Sequence, residues 1–551
     1  MSAPQPFNVL TRRGFLDRSF KLGLGVAMAT LTDIPLIMKR ALAEGTIGLS
    51  GKKFLFIFLR GANDGLNSVI PILDPAYQTS RPTGGTNIGI PTGPIDYSQT
   101  GLCDFTTTGA NPTFPATDTA IRLGNGFAAL HPSLRFLAPV YNAGDLALIH
   151  RVAYPNQSRS HFDSQNYWES AAPNNKLVTD GIFYRTIIQS GLANTSPLTA
   201  VSIQSALPFS LRGNAAAMTN LVDPTRYNLL GIPNTTQGNY KADNAIYAAD
   251  QYPFPDKLNR GLLNLQYKNL TDTLAIFAGI DFSEGDSTYN PSATTGNYYT
   301  DDANTDGDTG PYYLFPTNNA KNGGFSLHGS ATSKYVVDTG AYSLFTNLKA
   351  AALVLNKTDA IIAGTEVGGF DTHQTQGGVT GSHANLQRRI GWAMYALRKY
   401  FTKYAQKCSW DNLVVVTLSE FGRTTIQNAS VGTDHAEAGV MFVAGGPVNG
   451  YNKGYPHSGV FGCSPNDSFN GQSIPWVTGA SGSMFGASGR YLKRALDYRS
   501  LLGKLIRDHL GATQNQLNQI IPGYAVAGEK LLGGGTSSID GVPIFGELPI
   551  L

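Results

Sequence analysis

The amino-acid sequence predicts an α/β fold built on a largely parallel sheet. Three observations carry that expectation: four short apolar runs that end in polar residues, helical patterns between them, and chemically capable side chains after every run. Short apolar runs bounded by loop residues are the sequence form of parallel strands covered on both faces. Their alternation with helices argues for layers with the sheet in the middle.

The four runs are Lys53–Arg60, Leu146–Val152, Ala360–Thr365 and Leu413–Leu418. The clearest helical pattern spans 384–407, where Leu386, Ile390, Met394, Leu397 and Phe401 recur at three- and four-residue steps as one apolar stripe. Shorter patterns occupy Leu134–Tyr141, before the second strand, and Tyr498–Leu510. Two regions break the rhythm. Residues 79–126 are rich in Thr, Gly, Pro and Asn, and 283–335 adds Asp and Tyr to that mixture. Both are too long for ordinary connections, so insertions or a small cap are expected at about 79–126 and 212–345.

A chain of 551 residues buries a large core with ease and permits roughly two to four domains. Its start carries an address. Thr11-Arg12-Arg13-Gly14-Phe15-Leu16 precedes a mildly apolar stretch, Leu22 to Met38, that ends at Ala41-Leu42-Ala43, a small-x-small cleavage pattern. The pattern resembles a twin-arginine export signal, with Asp17 where that motif often has Lys. Residues 1–43 are therefore expected to be removed by cleavage after Ala43, with the protein acting in the periplasm or outside the cell. Gly23, Gly25, Asp33 and Pro35 interrupt the apolar stretch, and no other run is long enough to cross a bilayer. Six basic and two acidic residues lie in this leader, so the formal charge of +3 leaves about −1 on the rest and no basic stripe. Nucleic-acid binding has no electrostatic support.

Cys103, Cys408 and Cys463 lack metal-site spacing. They fit one disulfide plus a thiol, or three buried inert thiols; a zinc–cysteine or iron–sulfur cluster is excluded.

Sites in open α/β sheets collect beyond the carboxyl ends of the strands. After the four runs come Gly61-Ala62-Asn63-Asp64-Gly65, Ser158-Arg159-Ser160-His161-Phe162, Gly369-Phe370-Asp371-Thr372-His373, and Ser419-Glu420-Phe421-Gly422-Arg423 with Asp434-His435 beyond. Taken singly, each has a plainer role: Asp64 a turn former or cap, Ser160 a helix cap, Glu420 and Arg423 a buried ion pair, Asp434-His435 a solvated loop. Asp371 and His373, two apart, point the same way on an extended backbone, as two ligands of one ion do. The clusters reinforce one another only where the fold brings the strand ends together.

The stretches FLRGANDGLN, YPNQSRSHFDSQNYWE, GGFDTHQTQ, LSEFGRT and GTDHAEAGVMFVAGG, in this order after the leader, resemble the DUF1501 family, of the sulfatase-like branch of the alkaline phosphatase superfamily. The resemblance covers most of 50–230 and 345–512. It implies an alkaline-phosphatase-like three-layer sandwich and a site with up to two divalent metals and a Ser or Thr nucleophile. Position by position, it makes Asp64 a metal ligand, Ser160 the nucleophile, Asp371 and His373 a ligand pair and His435 the distal ligand. Where relatives have Asp-His after the fourth strand this chain has Ser419-Glu420, so Glu420 offers a carboxylate and a histidine is missing. His161 and Asp434 are the substitutes, and Arg159 or Arg423 would clamp an anionic substrate.

Mixed carboxylate and imidazole ligands suit zinc or manganese, with magnesium or calcium if histidine participates little. The expected activity is metal-dependent hydrolysis of phosphate, phosphonate or sulfate esters, on a small-molecule, carbohydrate or lipid substrate. The alternative is a catalytically silent extracytoplasmic binding protein that keeps the fold. Cys463-Ser464-Pro465-Asn466-Asp467 lacks the arginine of a formylglycine sulfatase motif, and no G-x-S-x-G elbow is present.

Overall fold

In the run KFLFIFL every residue is buried, and the side chains divide by parity. Leu55, Ile57 and Leu59 join one apolar cluster while Phe54, Phe56 and Phe58 join another, as the two-residue period of a strand requires. Val415 parts from Val414 and Val416 in the same way, and Leu148 from Ala147 and Ile149. Burying such a phenylalanine or leucine contributes about 1.5–3 kcal/mol, so both faces must be covered.

The computed structural model describes residues 47–96, 118–193, 198–216, 218–222, 272–273, 275–277, 279–282, 300–301, 312–316, 337–450, 459–469, 471–476 and 490–551. The leader lies outside them. Thr46–Leu551 forms one compact unit.

The central sheet contains β1 Lys53–Leu59, β2 Leu146–Ala153, β3 Ala200–Ile203, β4 Thr219–Leu221, β5 Ile362–Val367, β6 Leu413–Leu418, β7 Gly439–Ala444, β8 Val460–Phe461 and β9 Leu496–Asp497. Their order is β8-β2-β7-β6-β1-β5-β3-β4, with β9 also beside β2. All these pairings are parallel except those of β7, which runs antiparallel to β6 and β2. The principal helices are α1 His161–Ser170, α2 Ile182–Ser190, α3 Tyr342–Lys357, α4 Ser382–Lys403 and α5 Tyr498–Lys504, and Leu137–Asn142 forms a short helix before β2 as the sequence predicts. Helices α1, α2 and α5 pack on the phenylalanine face, and α3 and α4 cover the other. The α/β class with a mostly parallel sheet is as the sequence predicts.

Boundaries shift where pairing decides them. The third strand runs 362–367, two residues later than its apolar run, because Phe54 through Leu59 of β1 stay in register with it to Val367. Helix α4 stops at Lys403, short of 407, where Asn356 takes over the backbone: its Oδ1 accepts from Gln406 N (2.8 Å) and its carbonyl from Lys407 N (3.0 Å). Tyr498–Leu510 is an α-helix to Lys504 that widens into a π turn over Leu505–His509.

The region 79–126 is joined to the body. Thr92–Asp96 and Ala120–Arg122 build a four-stranded sheet with Val69–Pro71 and Ala128–Leu130, and Ile90 and Ile121 enter the apolar core. Most of 212–345 lies outside the described residues, but Thr219–Leu221 is an edge strand of the main sheet. Cys408 and Cys463 are free and buried, and burial pushes the Cys408 thiol up to about 12; Cys103 lies outside the described residues. No helix among the described residues is long and apolar enough to cross a membrane.

Four of the described histidines are buried with the fold. Burial pushes His131 and His150 down to about 3 and His383 and His509 to about 4. The unfolded chain takes up these protons near pH 6.5 while the folded one refuses them, so stability is present above that pH and lost as pH falls toward 3–4. For His150 the loss is on the order of 2 kcal/mol by pH 5. The denaturation midpoint of chelator-treated protein is expected to fall steeply between pH 6.5 and 5, and His150→Gln to flatten the slope. A flat profile contradicts the burial account.

Candidate metal centre

The parallel strands end at one edge of the sheet, and β7, antiparallel, begins there. The loops after β1, β2, β5 and β6 and the loop before β7 therefore meet. Their approach is close. At Gly61, where φ is +108°, an added Cβ would lie 2.5 Å from the backbone nitrogen of Asp371, so only glycine fits. At Gly432 a Cβ would lie 2.4 Å from the His373 carbonyl. Thr433 N donates to the Thr372 carbonyl at 3.1 Å and ties the same two loops.

At this junction three imidazoles face one carboxylate. His161 Nε2 and His373 Nε2 lie 3.0 and 2.9 Å from His435 Nε2. Asp371 Oδ1 is 3.5 Å from His161 Nε2, 3.1 Å from His373 Nε2 and 3.4 Å from His435 Nε2. Each ring is held from behind by an oxygen. His161 Nδ1 donates to Glu420 Oε1 at 2.8 Å, His373 Nδ1 to Asp434 Oδ1 at 3.2 Å, and His435 Nδ1 to the Arg159 carbonyl at 2.9 Å. Acceptors at Nδ1 place the proton there in a neutral ring and leave the Nε2 lone pair facing inward. Three lone pairs and a carboxylate oxygen thus converge, an arrangement a cation satisfies. Backing of this kind is what orients metal-binding histidine.

His161, Asp371 and His435 form the compact face of this cluster. Bonds of about 2.0–2.1 Å to a tetrahedral ion put ligand atoms about 3.4 Å apart. Their separations of 3.0, 3.4 and 3.5 Å match that edge. His373 abuts the same two atoms of Asp371 and His435. The donors of the cluster are imidazole and carboxylate without thiolate.

Electrostatics follow the same pattern. Burial pushes the Asp371 carboxyl up, and the Arg423 guanidinium more than offsets it, holding the group below its usual range. Glu420 is fully buried, yet hydrogen bonds from His161, the Gly61 N–H and Gln165 keep its pKa low. Burial lowers His435, whereas the hydrogen bond to Glu420 raises His161.

The other sequence-predicted residues have partners of their own. Glu420, expected as a ligand, accepts at Oε1 from Gly61 N (2.7 Å), His161 and Gln165 and so orients His161 from behind, while its buried Oε2 has no hydrogen-bond partner among the described residues. Asp434 likewise orients His373 and is itself held by Asn428 (2.9 Å) and Arg490 (3.0 Å). Asp64 lies elsewhere in the polar network: fully buried, its Oδ2 takes Arg81 at 2.7 Å and Gln376 at 2.6 Å. It occupies the N-cap position of Gly65–Ser68 without capping it. The donors that converge among the described residues are those around Asp371 Oδ1, an oxygen that also accepts from Arg423. Gln376 links Asp64 to the site, accepting from Thr372 (2.9 Å) and Thr433 (2.8 Å).

Arg423 does not offer itself to a substrate. Its donors go to the carbonyls of Ala62 (2.9 Å), Thr433 (3.1 Å), Phe370 (3.1 Å) and Gly61, and to Asp371. It ties three loops together and aims Asp371. Arg159 is half exposed and shares its head group between Tyr491 Oη (2.9 Å) and Glu437 (3.3 Å). Ser160 caps α1, its Oγ accepting from Asp163 N at 3.4 Å, and its side chain is exposed directly before His161. Sequence reasoning missed the Arg159 carbonyl, Gln165, Asn428 and Gln376; side chains that act from behind carry no motif.

Residues 327–453 match a family described as a protein of unknown function (DUF1501). That segment holds β5, α4, β6 and β7, with Asp371, His373, Glu420, Arg423, Asp434 and His435, and the match supports the family resemblance. No curated protein matches the chain.

Proposed function

We propose that the protein is an exported, metal-dependent hydrolase of phosphate, phosphonate or sulfate esters, of the sulfatase-like kind. The observation that carries this is the convergence of three Nε2 lone pairs and Asp371 Oδ1, each imidazole fixed by an oxygen at Nδ1. A divalent ion bound there supplies Lewis acidity and lowers the pKa of an oxygen it coordinates. Nitrogen-rich donors favour zinc or manganese over magnesium and calcium.

The chain's own groups supply the rest. Ser160 sits at the N-terminus of α1, where free backbone N–H groups and the helix dipole attract an anionic ester. Its hydroxyl is the nucleophile: it bonds to phosphorus or sulfur, the alcohol leaves, and water then releases the acid from the serine ester. Glu420 and Asp434 hold His161 and His373 in the tautomer that keeps Nε2 unprotonated. Arg159, half exposed, can turn from Glu437 to the ester oxygens.

Export by the twin-arginine route would carry the chain across folded. Protein purified from outside the cytoplasm is expected to begin at Glu44, to hold a divalent ion, and to hydrolyse 4-nitrophenyl phosphate or sulfate in a chelator-sensitive way. An ion-free protein with no turnover would favour the silent binding role.

A further inference from the structure

Helix α1 carries its functional side chains along one face. His161, Gln165 and Glu169 stand at i, i+4 and i+8, about one helical turn apart. The first belongs to the histidine cluster. Gln165 Nε2 donates to Glu420 Oε1 at 3.2 Å, and with Glu169 it lines a cavity of about 380 Å³. The cavity thus begins roughly 6 Å along the helix from His161, a distance set by four residues at 1.5 Å each. A second link is Arg60, which lines the cavity while the next residue, Gly61, donates to Glu420 Oε1 at 2.7 Å.

The lining has a definite chemistry. Arg60 is paired with Glu169 (2.7 Å) and Glu366 (2.9 Å), and Arg212 adds a second positive charge, so two cations balance two carboxylates. A charged ligand gains nothing from that balance. Gln204 is among the lining residues, and its amide can both donate to and accept from a ligand's hydroxyl. Leu207, Pro208 and Phe209 form an apolar wall. Amides, paired acids and an apolar wall around a volume of this size suit a ring with hydroxyls at its edge and C–H groups on its face.

We propose that this cavity is a subsite for a neutral pyranose ring, the sugar portion of the ester whose anionic group meets Ser160. The assignment rests on the proposed hydrolase and extends it to carbohydrate esters. Gln204 and the paired acids take hydroxyls, Phe209 takes the ring face, and α1 spans the two halves of the substrate.

The test is ligand-observed NMR and calorimetry with the methyl pyranosides of glucose, galactose, mannose and N-acetylglucosamine, on ion-loaded and on chelator-treated protein. At least one glycoside is expected to bind in the millimolar range. Gln204→Leu is expected to weaken that binding about tenfold, the effect of one lost hydrogen bond, without changing ion content. Asn166→Ala, on the exposed side of α1 and lining the same cavity, should weaken it several-fold without touching the core. No binding by any member of the panel, or equal binding to Gln204→Leu, overturns the subsite even where the ion is present. Glycoside binding by a protein that never takes up an ion upholds the subsite and removes the metal centre.

Discussion

His435→Ala is expected to empty the centre of its ion and to lower ester hydrolysis by at least about a thousandfold, since ion-derived stabilisation of a reacting oxygen amounts to several kcal/mol. The size of the effect follows from position. His435 Nε2 is the atom that both other histidines approach, at 3.0 and 2.9 Å, and it lies 3.4 Å from Asp371 Oδ1. Its removal leaves Asp371 Oδ1 as the one ligand atom that His161 and His373 still share among the described residues. Glu420→Gln gives the contrasting result. The amide can still occupy the space beneath His161, but it no longer fixes the Nδ1 proton, and ion affinity should fall about 10–100-fold, as for other groups that orient a ligand from behind. Ion content by mass spectrometry and turnover measured together read both variants. Full ion content in His435→Ala would remove that residue from the centre.

Ser160→Ala is expected to reduce turnover on the order of a thousandfold or more while the ion stays bound. The hydroxyl contributes one weak cap to α1, 3.4 Å from Asp163 N, so its loss costs about 0.5–2 kcal/mol at most and the fold survives. Activity and stability therefore separate in this variant. Turnover equal to the parent would assign the attack to water and leave Ser160 as a cap.

The body of the fold was legible because its signals are local. A run such as KFLFIFL or LVVVTL is almost wholly apolar, short and bounded by loop residues, the pattern of a strand covered on both faces. β7 was not placed: a run such as GVMFVA carries no sign of its direction, and its antiparallel course is set by pairing with β6 and β2. Helix α3 was also missed: YSLFTNLKAAALVLNK is buried over most of its length, so it lacks the one-sided stripe that marked α4.

The candidate site divides along the same line. Asp371, His373 and His435 were expected as ligands, and the structure brings them together. His161 joins them as the substitute for the histidine missing after the fourth strand. Asp64 was assigned by its place after β1, but its fate depends on Arg81, which comes from the region that looked like an insertion. Glu420 and Asp434, also expected as ligands, stand behind His161 and His373. Whether a carboxylate coordinates an ion or holds the imidazole that does is decided by a few ångströms, and spacing along a chain does not encode that. Arg423 shows the same limit. As a residue type it suits an anion clamp, yet burial and four carbonyl acceptors make it the tie between loops.

The proposed hydrolysis depends on one cation held among His161, Asp371 and His435, with His373 beside it. Anomalous scattering from crystals of the ion-loaded protein, recorded at the zinc and manganese edges, locates that cation directly. The account predicts a single peak about 2.0–2.3 Å from His161 Nε2, His435 Nε2 and Asp371 Oδ1. A peak at the Asp64 carboxylate instead, or none at the histidines in protein that carries a full equivalent of ion, would contradict it.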